Sequence, residues 1–307
     1  MRIVFMGTPD FALTALEAIY EAGHDIALVV SQPDKPSGRG YVLTPSPVKK
    51  FALEKGIEVI TPKTMRDEET ERILRFVQAD VFVVAAFGKI LPQNILDIPP
   101  HGCICIHASL LPALRGAAPI NRAVMEGHTE GGITIMYMDA GIDTGDIILQ
   151  RSIPITENMT AGQYHDEMAR LGGELILEYL SLASEGKATR TPQTEEGSSY
   201  AAKIDKKEAY EDFSRTAKQT HDRIRGLAPY PGAYAVLNGK RIKFLQSVLT
   251  NGTGVPGTVL STENGIEIAC ASGSVTITHL QPEGKGKMDY ASFLRGNSVK
   301  KGDIFNV

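Results

Sequence analysis

Three cysteines, Cys103, Cys105 and Cys270, are all that the 307 residues contain, too few for the disulfide framework of a secreted scaffold. A reducing cytoplasm is the expected setting. No apolar run, residues 81–87 included, approaches the roughly 18 residues that span a bilayer. A membrane span is therefore not expected, and because residues 2–6 already read as a strand, neither is a secretory signal. Internal repeats are missing. So is a dinucleotide fingerprint, because the first strand-to-helix turn reads Gly7-Thr8-Pro9-Asp10 where a nicotinamide-dependent enzyme needs G-x-G-x-x-G.

Hydrophobic residues make up 42% of the chain and charged residues 22%, a balance able to bury a sizeable core. A length beyond the roughly 100 to 200 residues of one domain predicts two. The net charge of −4 conceals an asymmetry: residues 1–199 hold 17 Lys and Arg against 26 Asp and Glu, whereas residues 200–307 hold 15 against 10. A basic module behind an acidic one suits a polyanionic partner such as nucleic acid, since cations gain affinity by releasing counterions from phosphates. An ordinary solvated surface accounts for the same excess.

Residues 2–6, 26–31, 58–60, 81–86, 102–106, 133–138 and 147–155 read as strands, and residues 11–20, 47–55, 67–77, 118–126 and 161–184 as helices. This alternation predicts a mostly parallel, Rossmann-like sheet with right-handed crossovers. At the first turn Thr8 suits an N-cap, Pro9 the first helical position and Asp10 the helix dipole. Residues 185–199 lose the hydrophobic period and read as a connection. Beyond a helix over 216–226, short strands separated by Asn238-Gly239, Asn251-Gly252, Asn264-Gly265 and Gly273 predict a small, OB-like β-barrel. The expected fold is thus α/β: a Rossmann-like catalytic domain over 1–189, a linker over 190–205 and a β-barrel domain over 206–307.

The densest polar constellation is Cys105-Ile106-His107-Ala108-Ser109-Leu110-Leu111-Pro112, followed by Arg115-Gly116-Ala117-Ala118-Pro119, where a strand ends. Ligands of open α/β sheets bind beyond the carboxyl ends of strands, which makes His107 a candidate acid/base group; a capping or core histidine fits the same position. The turn Asp139-Ala140-Gly141-Ile142-Asp143-Thr144-Gly145-Asp146 supplies a second candidate, Asp143, although Asp and Gly are also what any turn needs. Cys105 reads as a small buried hydrophobe, with nucleophilic catalysis as the alternative.

In order and at similar spacing, Gly7-Thr8-Pro9-Asp10-Phe11, the runs 107–112 and 115–119, and Asp143-Thr144-Gly145-Asp146 resemble the methionyl-tRNA formyltransferases. The likeness continues through Gln32-Pro33-Asp34-Lys35-Pro36-Ser37-Gly38-Arg39-Gly40, Ile224-Arg225-Gly226-Leu227 and Pro229-Tyr230-Pro231-Gly232-Ala233, so it spans nearly the whole chain. The folate-dependent glycinamide ribonucleotide formyltransferases resemble only the first domain.

The resemblance implies transfer of a formyl group from 10-formyltetrahydrofolate to the α-amino group of methionine on the initiator tRNA, with no metal. It places His107 beside the formyl oxygen as charge develops there, and makes Asp143 the acceptor or relay of the amine's proton. Ser109, Leu110, Leu111 and Pro112 match a loop along the folate. Phe87, Gly88, Lys89, Ile90 and Leu91 match a segment whose backbone reads the pterin edge, though any such sheet needs a strand end and loop there. Lys35 and Arg39 match a loop that engages tRNA, and a monomer is expected. One position departs from the pattern: two residues before the histidine the family has an Asn, and this chain has Cys105, a weaker donor. Removing one oxyanion donor typically costs roughly 10² to 10³ in rate. Two alternatives remain, a formyltransferase for another amine, such as a purine precursor or an amino sugar, and a folate- or tRNA-binding protein with weakened catalysis.

Overall fold

The computed structural model describes residues 1–37 and 42–306. They form two compact units, one of Met1–Gly116, Gly132–Ile153 and His165–Tyr200, the other of Ala117–Gly131, Pro154–Tyr164 and the chain from Ala201 onward.

In chain order the first part contains β1 (Arg2–Gly7), α1 (Asp10–Glu21), β2 (Asp25–Val30), β3 (Lys35–Ser37), β4 (Val42–Thr44), α2 (Pro47–Glu54), β5 (Val59–Ile60), α3 (Glu68–Val77), β6 (Val81–Ala85), α4 (Gln93–Leu96), β7 (Cys103–His107) and β8 (Arg115–Gly116). Then come α5 (Pro119–Met125), β9 (Glu130–Tyr137), β10 (Ile147–Pro154) and α6 (Ala161–Ser184). Seven strands make one sheet in the order β10-β9-β7-β6-β1-β2-β5. From β5 to β7 every pairing is parallel, and only β9 opposes β7, so the sheet is mostly parallel as the alternation predicts. One face buries Val4, Met6, Leu28, Val30, Phe82 and Val84 with Leu74 of α3 and Ile95 of α4. On the other face α6 passes close to the sheet at a glycine pair: a Cβ on Gly172 would lie 3.0 Å from Ile106 Cγ2, and one on Gly173 would lie 3.4 Å from Ala18 Cβ of α1. Two helix-interior glycines cost about 1 kcal/mol each relative to alanine, and this close packing is what offsets it.

Local signals hold at α3, where Asp67 caps the helix by accepting from Thr70 N at 2.8 Å. They fail at α1. Pro9 is the N-cap residue there, while the Thr8 hydroxyl donates to the Phe87 carbonyl and accepts from Gln32 N, both at 3.4 Å. Thr8 thus ties the ends of neighbouring strands and does not cap the helix. The antiparallel pair β3–β4 and the single turn α4 were not expected, being too short to show a period.

After β11 (Tyr200–Ala201), at the boundary between the units, the second unit continues with a 3₁₀ turn at Lys206–Ala209, α7 (Ala217–Leu227), β12 (Ala233–Leu237), β13 (Lys240–Thr250), β14 (Val259–Ser261), β15 (Ile266–Ala269), β16 (Ser274–Pro282), β17 (Met288–Asp289) and α8 (Tyr290–Gly296). Here the expected barrel takes the form of a curled antiparallel sheet ordered β12-β13-β16-β15-β14, with register shifts in β13 near Gln246 that let it bend. The C-terminal segment bridges its two edges: Asn306 N donates to Val236 O at 2.7 Å, and Val259 N donates to Asp303 O at 2.8 Å. Inside, Phe213, Phe244 and Phe305 pack with ring centroids 5.7 to 5.9 Å apart. Helix α5 belongs to this unit and crosses α7 at Gly226, where a Cβ would lie 2.7 Å from Met125 N and where Asn121 donates to the Gly226 carbonyl at 2.8 Å. Among the described residues no helix is long and apolar enough to cross a membrane.

Candidate active site

The two-residue period of β7 puts Cys103, Cys105 and His107 on one face and Ile104 and Ile106 on the other. Cys103 lies in the core with Ile95 and Leu96, so this face begins as core and turns into a site only at the carboxyl edge of the sheet. There the buried His107 ring donates from Nε2 to the Leu114 carbonyl at 3.1 Å. Only an N–H can satisfy a carbonyl, so neutral His107 keeps its proton on Nε2 and turns the Nδ1 lone pair toward Asp143, whose Oδ2 is 3.6 Å away.

Asp143 reaches this position from an unusual backbone, with φ at +54°. Its Oδ2 accepts from Gly116 N at 2.7 Å. The turn itself is built by other residues: Asp139 accepts from Gly141 N at 3.0 Å and from Thr144 Oγ1 at 2.8 Å, and a Cβ on Gly145 would run into the Tyr137 carbonyl oxygen. Asp139 therefore does the work of a turn residue, which leaves the Asp143 carboxylate facing His107.

Thr134 of β9, fully buried, holds the loop after His107. Its hydroxyl donates to Ser109 O at 2.6 Å and accepts from Leu111 N at 3.1 Å. Gln150 of β10 adds a bond from Nε2 to Leu111 O at 2.8 Å, and Ser109 Oγ donates to Ala113 O at 2.6 Å. Leu111 is buried, while Leu110 and Pro112 stay half-exposed, and the Leu111–Pro112 peptide is cis.

Cys105 lies one strand position pair before His107 and is half-buried. Burial, and then the Asp143 charge, push its thiol far above the ordinary range. It is a neutral thiol at physiological pH, which opposes the nucleophilic alternative.

The β6–β7 register, with Val84 opposite Cys105, puts the residues after β6 beside His107. Phe87 and Leu91 are buried anchors in the core, whereas Gly88 and Ile90 are exposed, Ile90 at 71%. The Phe87 carbonyl accepts from Gln32 Nε2 at 2.8 Å, and Gln32 Oε1 accepts from Lys35 Nζ at 2.7 Å. Lys35 is thereby linked to this segment, and Arg39 lies outside the described residues. Among the described residues no group of three or more His, Cys, Asp or Glu is placed to hold a metal ion.

Sequence reasoning missed Thr134, Gln150, Ser199 and Gln193. The last two lie in the stretch read as a connection, yet Ser199 Oγ accepts from Leu114 N at 2.9 Å and Gln193 Nε2 donates to Asp143 O at 2.9 Å. Their only sequence signal is a polar residue of ordinary type, and their partners are remote in the chain.

Residues 1–180 match the family described as Formyl transferase, and residues 203–298 match Formyl transferase, C-terminal domain. A methionyl-tRNA formyltransferase of Ruegeria pomeroyi is 48% identical over 302 residues, 98% of this chain and 99% of that protein. One from Pelobacter propionicus is 46% identical over 303 residues, 98% of this chain and 95% of that protein. Among solved structures, WlaRD, a sugar 3N-formyl transferase in the presence of dTDP and 5-N-formyl-THF, superposes with a TM-score of 0.68 at 22% identity, covering 93% of this chain and 99% of that one, which shows the fold. Near-complete mutual coverage at almost half identity leaves one assignment: the chain belongs to the methionyl-tRNA formyltransferase family.

Proposed function

We propose that this enzyme transfers the formyl group of 10-formyltetrahydrofolate to the α-amino group of methionyl initiator tRNA, for translation initiation. The observation that carries the reading is the His107–Asp143 pair, 3.6 Å apart at the carboxyl edge of the sheet, in a chain alike end to end with methionyl-tRNA formyltransferases. The amine nitrogen attacks the formyl carbon, the carbonyl becomes a tetrahedral oxyanion, and the bond from carbon to the folate N10 breaks. The proton lost by the amine is held between Asp143 Oδ2 and His107 Nδ1. Protonated at Nδ1, with Nε2 already committed to Leu114, the ring presents its remaining N–H to the oxyanion and returns the proton to N10 of the departing tetrahydrofolate.

Flat folate rings need apolar walls and a few fixed polar groups. The exposed or half-exposed Ile90, Leu110 and Pro112 supply apolar surface, with Phe87, Leu91 and Leu111 anchoring them from the core and Ser109 and Gly88 in the same two loops. Lys35 and Arg39 engage the tRNA, together with the basic region 206–307; residues 1–189 carry the transfer chemistry and 190–205 join the two. The enzyme works in the cytoplasm as a monomer.

The test is incubation with 10-formyltetrahydrofolate and charged initiator tRNA, reading formylmethionine. Glycinamide ribonucleotide and an amino-sugar nucleotide serve as competing acceptors, and preference for either overturns the tRNA reading. A second reading, a binding protein with weakened catalysis, is favoured by Cys105 alone; tight folate and tRNA binding without turnover would establish it.

A further inference from the structure

The structure assigns Gln193, with Arg115 behind it, as a positioning residue that aims Asp143. The inference rests on the formyl-transfer reading of the same site. The Gln193 amide is used at both ends: Oε1 accepts from Arg115 Nε at 3.1 Å and Nη2 at 3.0 Å, and Nε2 donates to Asp143 O at 2.9 Å and Gly145 O at 2.8 Å. Guanidinium can only donate and carbonyls can only accept, so the amide cannot be turned over. Arg115 is 1% exposed, and its Nη1 donates to Glu195 Oε1 at 3.2 Å. The residue after it, Gly116, gives its N–H to Asp143 Oδ2 at 2.7 Å.

One stretch of chain therefore grips Asp143 twice. Gly116 holds the carboxylate, and Arg115, through Gln193, holds the backbone on both sides of Thr144. The second grip matters because Asp143 sits at φ +54°, a conformation that L residues seldom adopt without support. A shift there moves the carboxylate away from His107. Gln193 touches neither reacting group, so its effect passes through Asp143.

The decisive variant is Gln193→Glu. A carboxylate still accepts from Arg115, so the segment stays fastened at that end; it cannot donate to the two carbonyls, so the aim is lost, at a modest cost in melting temperature that leaves the protein folded at the assay temperature. We expect kcat for formylation to fall about 10- to 100-fold, with KM for tRNA and formyl donor within about twofold of wild type, since neither substrate loses a contact. In an Asp143→Ala background the same change should cost nothing further. Wild-type kcat in Gln193→Glu overturns the inference, as does an additional tenfold loss in the Asp143→Ala background. A wild-type enzyme that makes no formylmethionine removes the underlying reading as well, a result distinct from an active wild type with an active variant.

Discussion

The two units use charge in opposite ways. In the first, the polar groups of the site are held from more than one side: His107 by Leu114 and Asp143, Asp143 by Gly116 and Gln193, the 109–111 loop by Thr134 and Gln150. In the second, the buried or partly buried cations are consumed by the fold. Arg225 pairs with Asp222 at 2.8 Å, Arg223 with Glu211 at 3.0 Å and Arg122 with Glu208 at 2.7 Å. Positive charge facing water is carried by other residues, among them Lys203, Lys206, Lys207, Lys240, Lys285, Lys300 and Lys301. A count of Lys and Arg merges these populations, although only the second is available to phosphates. Group transfer needs reacting atoms fixed to within a fraction of an ångström, whereas counterion release tolerates mobile, solvated cations.

The sharpest way to break this contrast is to remove the fixed pair. His107→Ala and Asp143→Ala should each lower kcat by about 10² to 10⁴, the usual range for an acid/base group, with near-native melting and unchanged tRNA affinity; wild-type turnover in either would return the residue to a structural role. On the other side of the comparison, Arg225→Ala should act on folding. It strands Asp222, which is almost fully buried, and breaking such a pair costs about 3 to 5 kcal/mol, toward the lower figure because Lys218 also pairs with Asp222. Denaturant titration measures this, and an undisturbed midpoint would mean that Arg225 is available for ligand after all.

Cys105→Asn tests whether the site lacks a donor. If so, kcat should rise by up to roughly 10², while Cys105→Ala stays near wild type; a much slower alanine variant would give the thiol a chemical role. Smaller still, Lys206→Glu with Lys207→Glu should raise KM for tRNA about tenfold and flatten its salt dependence, leaving kcat and melting intact. These point changes are a better probe than cutting the chain at residue 199, which would take α7 away from α5. The smallest effect is an absence: Cys103, pushed up to about 12, Cys270, to about 11, and Cys105, higher again, should all stay protonated at pH 8.5 and alkylate far more slowly folded than unfolded. Rapid labelling of Cys105 in the native state would contradict its environment.

Most of the architecture is legible in the sequence alone. Short apolar runs bounded by turn residues mark the parallel strands and the 3.6 period marks the helices, α6 with the bounds it has, Ala161–Ser184. Strand ends followed too, so His107 and Asp143 could be named as a pair from the sheet-edge rule and the family resemblance. What escaped was short or remote. Helix α4 and the β3–β4 pair are too brief for a period, and the C-terminal segment that bridges β12 and β14 shows no strand pattern of its own. Thr8 has the neighbours of a cap, yet its hydroxyl donates to the Phe87 carbonyl instead.

The sequence by itself determined which residues turn inward, because burial of apolar side chains depends on spacing along one element, and it determined the chemical types gathered at the end of β7. Only the tertiary structure decided how those types are used. Nothing local distinguishes Asp139, which builds its turn, from Asp143, which faces His107, or makes Gln193 more than one polar residue in a stretch without a period. Those roles come from hydrogen bonds between positions far apart in the chain. A hydrogen bond depends on direction and on distances near 3 Å, which are settled when the elements pack.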